Sequence, residues 1–307
     1  MNQNIMVQGM HGMGDTIHER AIVKQHIERG DNVFIETSWP QIFHDLDVKC
    51  VTKATDLRTQ AKNAKRAPGY YAGRILTIDQ YIRIHYDGRE GSVLASMMKN
   101  AGTDPTRADF SMPVPKTWQH GIKTDKPILI YRPLIQRTEW AGNVNRNPDL
   151  DAYWILFNHL RKQRDYYVVS IADLVPDVEW MVSHPVDADL ELHKGELTFE
   201  QLASLFSEAE LVYTAAGFPV ILAKAVGTPV VTVFGGYEDS RSFELGDSPW
   251  LPIDVIKPCR CFSVRHKCVK DIELYPAMER IEEFAHASIK EAKSRPASEA
   301  PDTGAAV

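Results

Sequence analysis

Residues 211–236 read LVYTAAGFPVILAKAVGTPVVTVFGG, and three different periods follow one another within them. Leu211-Val212-Tyr213-Thr214 is a short β-branched and aromatic run, as a buried strand would be. Ala216-Gly217-Phe218-Pro219 breaks it, and Pro219 suits the first turn of a helix, where its missing N–H is not needed. Val220 to Val226 is then a small apolar helix, closed by Gly227, a residue tolerant of the positive φ that a C-terminal cap requires. Pro229 to Phe234 is a second continuous apolar strand, ending in Gly235-Gly236. Strand, turn, helix and strand in this length make a βαβ unit with parallel strands and a right-handed crossover. Because the apolar runs do not alternate, the sheet should be covered on both faces. Ligands of such sheets bind beyond the carboxyl ends of the strands, which puts Ala215-Ala216-Gly217 and Gly235-Gly236-Tyr237-Glu238 at the mouth of a site.

The amino-terminal end repeats the theme. Ile5-Met6-Val7-Gln8 is a strand that runs into Gly9-Met10-His11-Gly12-Met13-Gly14-Asp15, where glycines let the backbone turn and approach a ligand. Asp15-Thr16 can cap a helix that continues through Ile17, Ala21, Ile22 and Ile27 to Gly30. A helix start after a Gly-rich turn favours anions, yet a carboxylate at Asp15 would repel a phosphate. On spacing alone Asp15 reads equally as a plain cap. The GxGxxG spacing of a dinucleotide-dependent dehydrogenase is missing.

Asn32–Glu36 and Val48–Thr52 are expected strands, with Trp39–Leu46 between them, in the rhythm of a doubly wound half. Lys53, Arg58, Lys62, Lys65 and Arg66 then stand against a single acid, Asp56: a solvated helix face, or a basic lip for an anionic acceptor. Gly73–Ile78 reads as a further strand and Gly91–Gly102 as a helix. The polar segment Pro113–Pro127, with three prolines, reads as an inter-domain linker. Ile128–Tyr131 opens a second sheet with Arg132 fixed at its carboxyl end, while Arg137, Thr138, Arg146 and Asn147 occupy the loop before a helix at Leu150–Gln163. A strand-end arginine can clamp phosphate bidentately. Tyr166–Ile171 is a strand, Val182–Leu192 irregular or a short strand, and Thr198 with Gln201 forms a capping box for a helix to Phe206. A last helix is expected at Ile281–Ala292, followed by a disordered tail.

Bulk properties exclude little but are consistent. The chain has 307 residues, 44% of them hydrophobic and 25% charged, the composition of a soluble globular protein. Mean hydropathy is −0.29. No apolar run reaches the length of a membrane span, and the net charge of −6 argues against a protein that coats nucleic acid. Four cysteines without an export signal point to a reducing, cytoplasmic setting. Three of them, Cys259, Cys261 and Cys268, lie near His266 and could make a tetrahedral zinc site. The tight CxC spacing, unlike paired CxxC knuckles, favours a reduced structural cluster instead.

Taken together, the two glycine-containing mouths resemble a GT-B glycosyltransferase, and more narrowly the heptosyltransferase-like family, family 9 of the glycosyltransferases. Gly12-Met13-Gly14-Asp15-Thr16-Ile17-His18 is similar to that family's (S/L)GD(V/I)(I/V)H turn, and Leu197-Thr198 to Phe206 with Ala216 to Gly235 to its second motif, DSGPxHLAAALGxPxVxLFG. The resemblance implies an α/β protein of two doubly wound, Rossmann-like parallel-sheet domains facing a central cleft. The acceptor-side domain would span 1–122 and the nucleotide-sugar side 123–292, with the final helix packing back on the first domain and a tail at 293–307. It implies metal-independent, inverting transfer from a nucleotide-diphosphate sugar, with no cofactor, to a hydroxyl of a saccharide, lipopolysaccharide-type or modified-nucleobase acceptor. Asp15 would be the general base and Gly12, Met13, Gly14 and His18 the acceptor-side loop. Arg132, Arg137, Ala216, Gly217, Phe218, Gly235, Gly236 and Glu238 would hold the donor. The chain departs from the family where Asp-Ser-Gly becomes Ala216-Gly217-Phe218 and the family's His becomes Ile221. Glu238 could replace the lost contact to a ribose or sugar hydroxyl. The departures keep a non-catalytic nucleotide- or sugar-binding relative, or a nucleotide-sugar epimerase, open as alternatives.

Overall fold

A computed structural model describes residues 3–138, 146–263 and 266–294. The first sheet is built from β1 (Asn4–Gln8), β2 (Asn32–Thr37), β3 (Val48–Thr52) and β4 (Gln80–Arg83), in the order β3-β2-β1-β4 with every pair parallel. Helices α1 (Met13–Glu28), α2 (Arg58–Arg66) and α3 (Val93–Asn100) accompany it. The second half begins with β5 (Ile128–Tyr131), β6 (Ile135–Arg137), α4 (Leu150–Leu160), β7 (Tyr167–Ile171), β8 (Glu179–Met181) and β9 (Leu190–Leu192). It continues with α5 (Phe199–Glu208), β10 (Leu211–Ala215), α6 (Phe218–Val226), β11 (Val230–Val233), β12 (Trp250–Ile253) and α7 (Leu274–Ser294). Six of these strands form a parallel sheet in the order β12-β11-β10-β5-β7-β9, and β6 pairs antiparallel with β8 beside it.

The βαβ unit at 211–236 forms for the local reasons given above. Pro219 lies in the first turn of α6, and Gly227 ends it at φ 78°. All four residues of β11 are buried, as a sheet covered on both faces requires. On one face, Tyr131, Tyr153, Phe157 and Tyr213 interlock with ring centroids 4.3–6.2 Å apart. Two of the three hydroxyls in this cluster are satisfied by main chain: Tyr213 donates to the Tyr153 carbonyl and Tyr153 to the Arg132 carbonyl, both at 2.7 Å. The core therefore grips the residue after β5. On the other face, the packing of α6 continues into α1 and the first sheet as one apolar cluster that includes Ile5, Ile17, Val220 and Phe234. Gly14 makes this approach close, since a Cβ there would lie 2.7 Å from Ile221 Cδ1 and 3.3 Å from Phe218 Cα.

Three expectations need correction. Residues 73–78 form no strand; Ile75 and Leu76 stay exposed, and pairing begins at Gln80. The register is set by Asp79, which accepts from the Asn4 backbone amide at 2.8 Å and donates its own amide to the Asn4 carbonyl. Helix α1 starts at Met13 with Gly12 as its N-cap, so Asp15 is the third helical residue and caps nothing. Helix α7 begins at Leu274, ahead of the expected Ile281, and buries Ala277, Ile281 and Ala285 with Tyr153 and Leu156 of α4 and Ile253 of β12. Its buried stripe, among the described residues, thus packs on the second sheet. The expected tail from 293 lies outside the described residues apart from 293 and 294, which continue α7.

Candidate active site

Both sheets change direction of winding at one point. In the first, β2 and β3 lie to one side of β1 and β4 to the other; in the second, the reversal falls between β5 and β10. Loops leaving such a point diverge and open a crevice at the carboxyl ends of the strands. The two crevices share one cleft of about 700 Å³, lined by Gly12-Met13-Gly14-Asp15, Tyr86, Arg132, Arg146, Ala216-Gly217-Phe218 and Glu238 among others.

On the first-sheet side, the glycine turn is held from beneath. Glu19, fully buried one turn below Asp15, accepts from the Met10 amide at 2.5 Å, and Lys53 donates to the Gly9 carbonyl. Burial pushes the Glu19 carboxyl up to about 8. Asp15 sits above, its carboxylate folded back so that a Cβ on Gly12 would meet Oδ2 at 2.5 Å. Burial raises its pKa to about 6; the charge of Arg146 opposes the rise and that of Glu238 adds to it. A carboxylate poised there accepts a proton more readily than an ordinary aspartate.

Facing it is an ion pair whose acid is buried and whose arginine is partly exposed. Glu238 is 5% exposed and accepts from Arg146 Nε at 3.0 Å, and this neighbour raises the Arg146 pKa further. Tyr86 completes the wall, its phenol pushed up to about 12 by burial and by the charges of Asp15 and Glu238. Replacing Glu238 by Gln removes a charge that raises Asp15 and leaves Arg146 to lower it. The acid limb of any Asp15-dependent activity should therefore move to lower pH in Glu238→Gln. A kcat/KM profile across pH 4–8 checks this, and an unmoved limb would separate Glu238 from Asp15.

On the second-sheet side, the N-terminus of α6 points into the cleft, with Gly217 at φ 147° allowing the turn from β10. Its unpaired amides make it a site for negative charge. Arg132 follows β5 at the winding reversal. Its Nη1 donates to the Ile171 carbonyl at 2.8 Å and its guanidinium lies 5.7 Å from the Phe218 ring centroid. Burial lowers its pKa to about 10, which leaves it charged at neutral pH. Arg137 also lines the cleft and pairs with Glu179 at 2.7 Å.

Other expected residues fall elsewhere. His18 lies one turn further along α1, 3% exposed, edge-on to Phe110 at 5.2 Å, and does not line the cleft. Burial and the nearby Lys224 lower its pKa to about 3, so it is a neutral core imidazole. Gly235 and Gly236 lie behind the wall. A Cβ on Gly236, at φ 85°, would lie 3.2 Å from Val255 Cγ2, and this turn sends the chain to Glu238. The basic segment is neither a free lip nor a bare solvated face. Arg58 pairs with Asp173 at 2.7 Å, Thr59 bonds the same carboxylate at 3.0 Å, and Lys62 donates to the Gly195 carbonyl at 2.7 Å, joining α2 to the second half. Tyr86 and Arg146 were not singled out. Tyr86 depends on the true position of β4, and Arg146 is one polar residue among several in an aperiodic loop.

No protein-family model and no curated protein matches the sequence. Solved structures do match in shape. The iron-containing dodecameric glycosyltransferase TibC of enterotoxigenic E. coli superposes with a TM-score of 0.60 at 14% identity, over 95% of this chain and 77% of that one. A glycosyltransferase family 9 protein of Veillonella parvula gives 0.58 at 12% identity, over 95% and 98%. The E. coli ADP-heptose lipopolysaccharide heptosyltransferase II gives 0.53 at 10%, over 95% and 100%. At these identities the likeness establishes the fold: two parallel α/β sheets in the GT-B arrangement of heptosyltransferase-like proteins. Among the described residues no helix is long and apolar enough to cross a membrane.

Proposed function

We propose that the protein is an inverting glycosyltransferase that moves a sugar from a nucleoside-diphosphate sugar to an acceptor hydroxyl. The observation that carries the reading is the pairing, across one cleft, of a carboxylate with raised pKa and a helix N-terminus with an arginine beside it. Two structures of similar fold, TibC with an ADP-heptose and the heptosyltransferase WaaC with ADP, hold ligands of this class, at TM-scores of 0.58 and 0.54.

The chemistry then divides between the two sides. Asp15 takes the proton of the acceptor hydroxyl while its oxygen attacks the anomeric carbon. The bond from that carbon to the diphosphate oxygen breaks, and the leaving diphosphate keeps the electron pair. The amides at Gly217-Phe218 and the Arg132 guanidinium stabilise the developing charge, which lets the step proceed without a metal at the reacting centre. The Arg146–Glu238 pair bears on Asp15 and stands where it can also meet sugar or ribose hydroxyls. In this reading 1–122 and 123–292 act as acceptor and donor domains. A saccharide acceptor is favoured over a nucleobase in DNA because Arg58 and Lys62 are already engaged with the second half.

The test is thermal stabilisation by a panel of nucleoside diphosphates and nucleotide sugars. A ligand at 100 times its Kd should add about 2.7 kcal/mol, and one base should be preferred clearly over the others. A flat response across the panel would overturn the donor site. Binding without transfer to any acceptor would favour the non-catalytic relative, a reading motivated by Ile221 in place of the family's histidine.

A further inference from the structure

The segment after β12 holds a second cluster, away from the cleft. The ligand atoms of Cys259, Cys261, His266 and Cys268 all lie within 4.8 Å of one another. Cys259 and Cys268 Sγ are 3.2 Å apart, Cys261 and Cys268 Sγ 3.6 Å, and His266 Nδ1 is 3.6 Å from Cys259 Sγ and 3.7 Å from Cys268 Sγ. These are not disulfide distances, since a bonded pair would stand at about 2.05 Å. They approach the spacing of ligands around one tetrahedral ion, where sulfur–metal bonds of about 2.3 Å put neighbouring ligand atoms just under 4 Å apart.

The backbone adds an independent observation. Arg260 and Phe262, which alternate with the cysteines, have φ of 48° and 45°, and only Asp177 shares this left-handed region among the described non-glycine residues. Such a backbone is unfavourable for any residue with a Cβ and persists only where its surroundings enforce it. The curl turns both thiols inward and both intervening side chains outward, across to the first half. Arg260 donates to the carbonyls of Gly88 and Gly91, each at 2.9 Å, and its Nε lies 3.3 Å from Asp239, the neighbour of Glu238. Phe262 packs so tightly on Gly88 that a Cβ there would lie 2.3 Å from its ring.

We infer that Cys259, Cys261, His266 and Cys268 bind one divalent ion, Zn²⁺ or Fe²⁺, in a closed tetrahedral S₃N site, and that this ion locks Arg260 and Phe262 as a strap against residues 88–91. Four protein ligands leave no open position, so the ion's task is structural. The sequence-based preference for a metal-free cluster rested on CxC being too tight, which holds for extended backbone but not for one curled at the residues between.

Elemental analysis of the full chain, purified without chelator, should find one ion per chain and identify it as zinc or iron. Cobalt reconstitution should give the intense visible bands of a tetrahedral thiolate site, and Cys261→Ser and Cys268→Ser should each lower bound metal to about a tenth. Stripping the ion from the native protein should speed amide exchange at 88–91 by about tenfold or more. A metal-free chain that gives no cobalt spectrum, or a Cys259–Cys268 disulfide, overturns the site. One bound ion with unchanged exchange at 88–91 after its removal overturns the strap.

Discussion

Asp15→Asn is expected to abolish sugar transfer while leaving donor affinity within about twofold of the native protein. Loss of a positioned base lowers kcat by roughly 10²–10⁴-fold. Donor binding is assigned to the other wall, at Arg132 and the N-terminus of α6, so it should survive. Single-turnover kinetics with calorimetry of donor binding separates the two. Undiminished turnover, or donor affinity lost along with it, would remove Asp15 from the role of base.

The same variant carries its own control for misfolding. The folded pKa of Asp15, about 6, lies above the ordinary value of 3.8, so folding disfavours the ionised form. Below the ordinary value the carboxyl is neutral in both states and nothing is lost. As pH rises through the window between the two values, the folded state must give up a proton it holds more tightly, and stability falls. Asparagine imitates the neutral acid at every pH. Asp15→Asn should therefore melt higher than the native protein at about pH 8 and at the same temperature at about pH 3.5. A variant that is inactive and also less stable at pH 8 would have lost its fold, and not its base.

The largest loss of stability should come from Arg20→Met, on the helix that carries Asp15. Arg20 is 0% exposed, yet every arm of its guanidinium is occupied. It meets Asp45 bidentately at 2.7 and 2.8 Å, donates twice to the Ser111 carbonyl at 2.9 and 2.6 Å, and donates to the Ile42 carbonyl. Methionine fills much of the volume but takes the guanidinium from the Asp45 carboxylate and the donor from the Ile42 carbonyl, and leaves the Ser111 carbonyl only Lys24, at 3.0 Å. Breaking one side of such a pair costs about 3–5 kcal/mol. Denaturant unfolding should register that loss, and Asp45→Asn, which leaves acceptors for the guanidinium, should cost less. Equal stability in Arg20→Met would mean that water replaces the guanidinium.

How much of this was legible in the sequence varies along the chain. The strand end at Arg132 and the Gly12–Asp15 turn could be located because each follows an unmistakable apolar strand. The false strand at 73–78 arose because Ile75 and Leu76 look as apolar as Ile82, and only pairing to Asn4 distinguishes them. His18 was misplaced for a related reason. It is three residues beyond Asp15, close on the helical wheel, but α6 and Phe110 have already closed over α1 at that turn.

The sequence by itself determined whatever short-range physics controls. Pro219 and Gly227 bound α6, Thr198 and Gln201 cap α5 reciprocally, and the continuous apolar run of β11 belongs to a sheet that is covered on both faces. Those signals act within a few residues and need no partner from far along the chain. Only the tertiary structure decided that Asp15, Tyr86, Arg146 and Glu238 line one cleft, and that Arg58 and Lys62 join the halves. Their proximity depends on how two sheets pack through α1 and α6 and on loops without a period. The charges that tune Asp15 therefore come from positions 131 and 223 residues away in the chain, at Arg146 and Glu238.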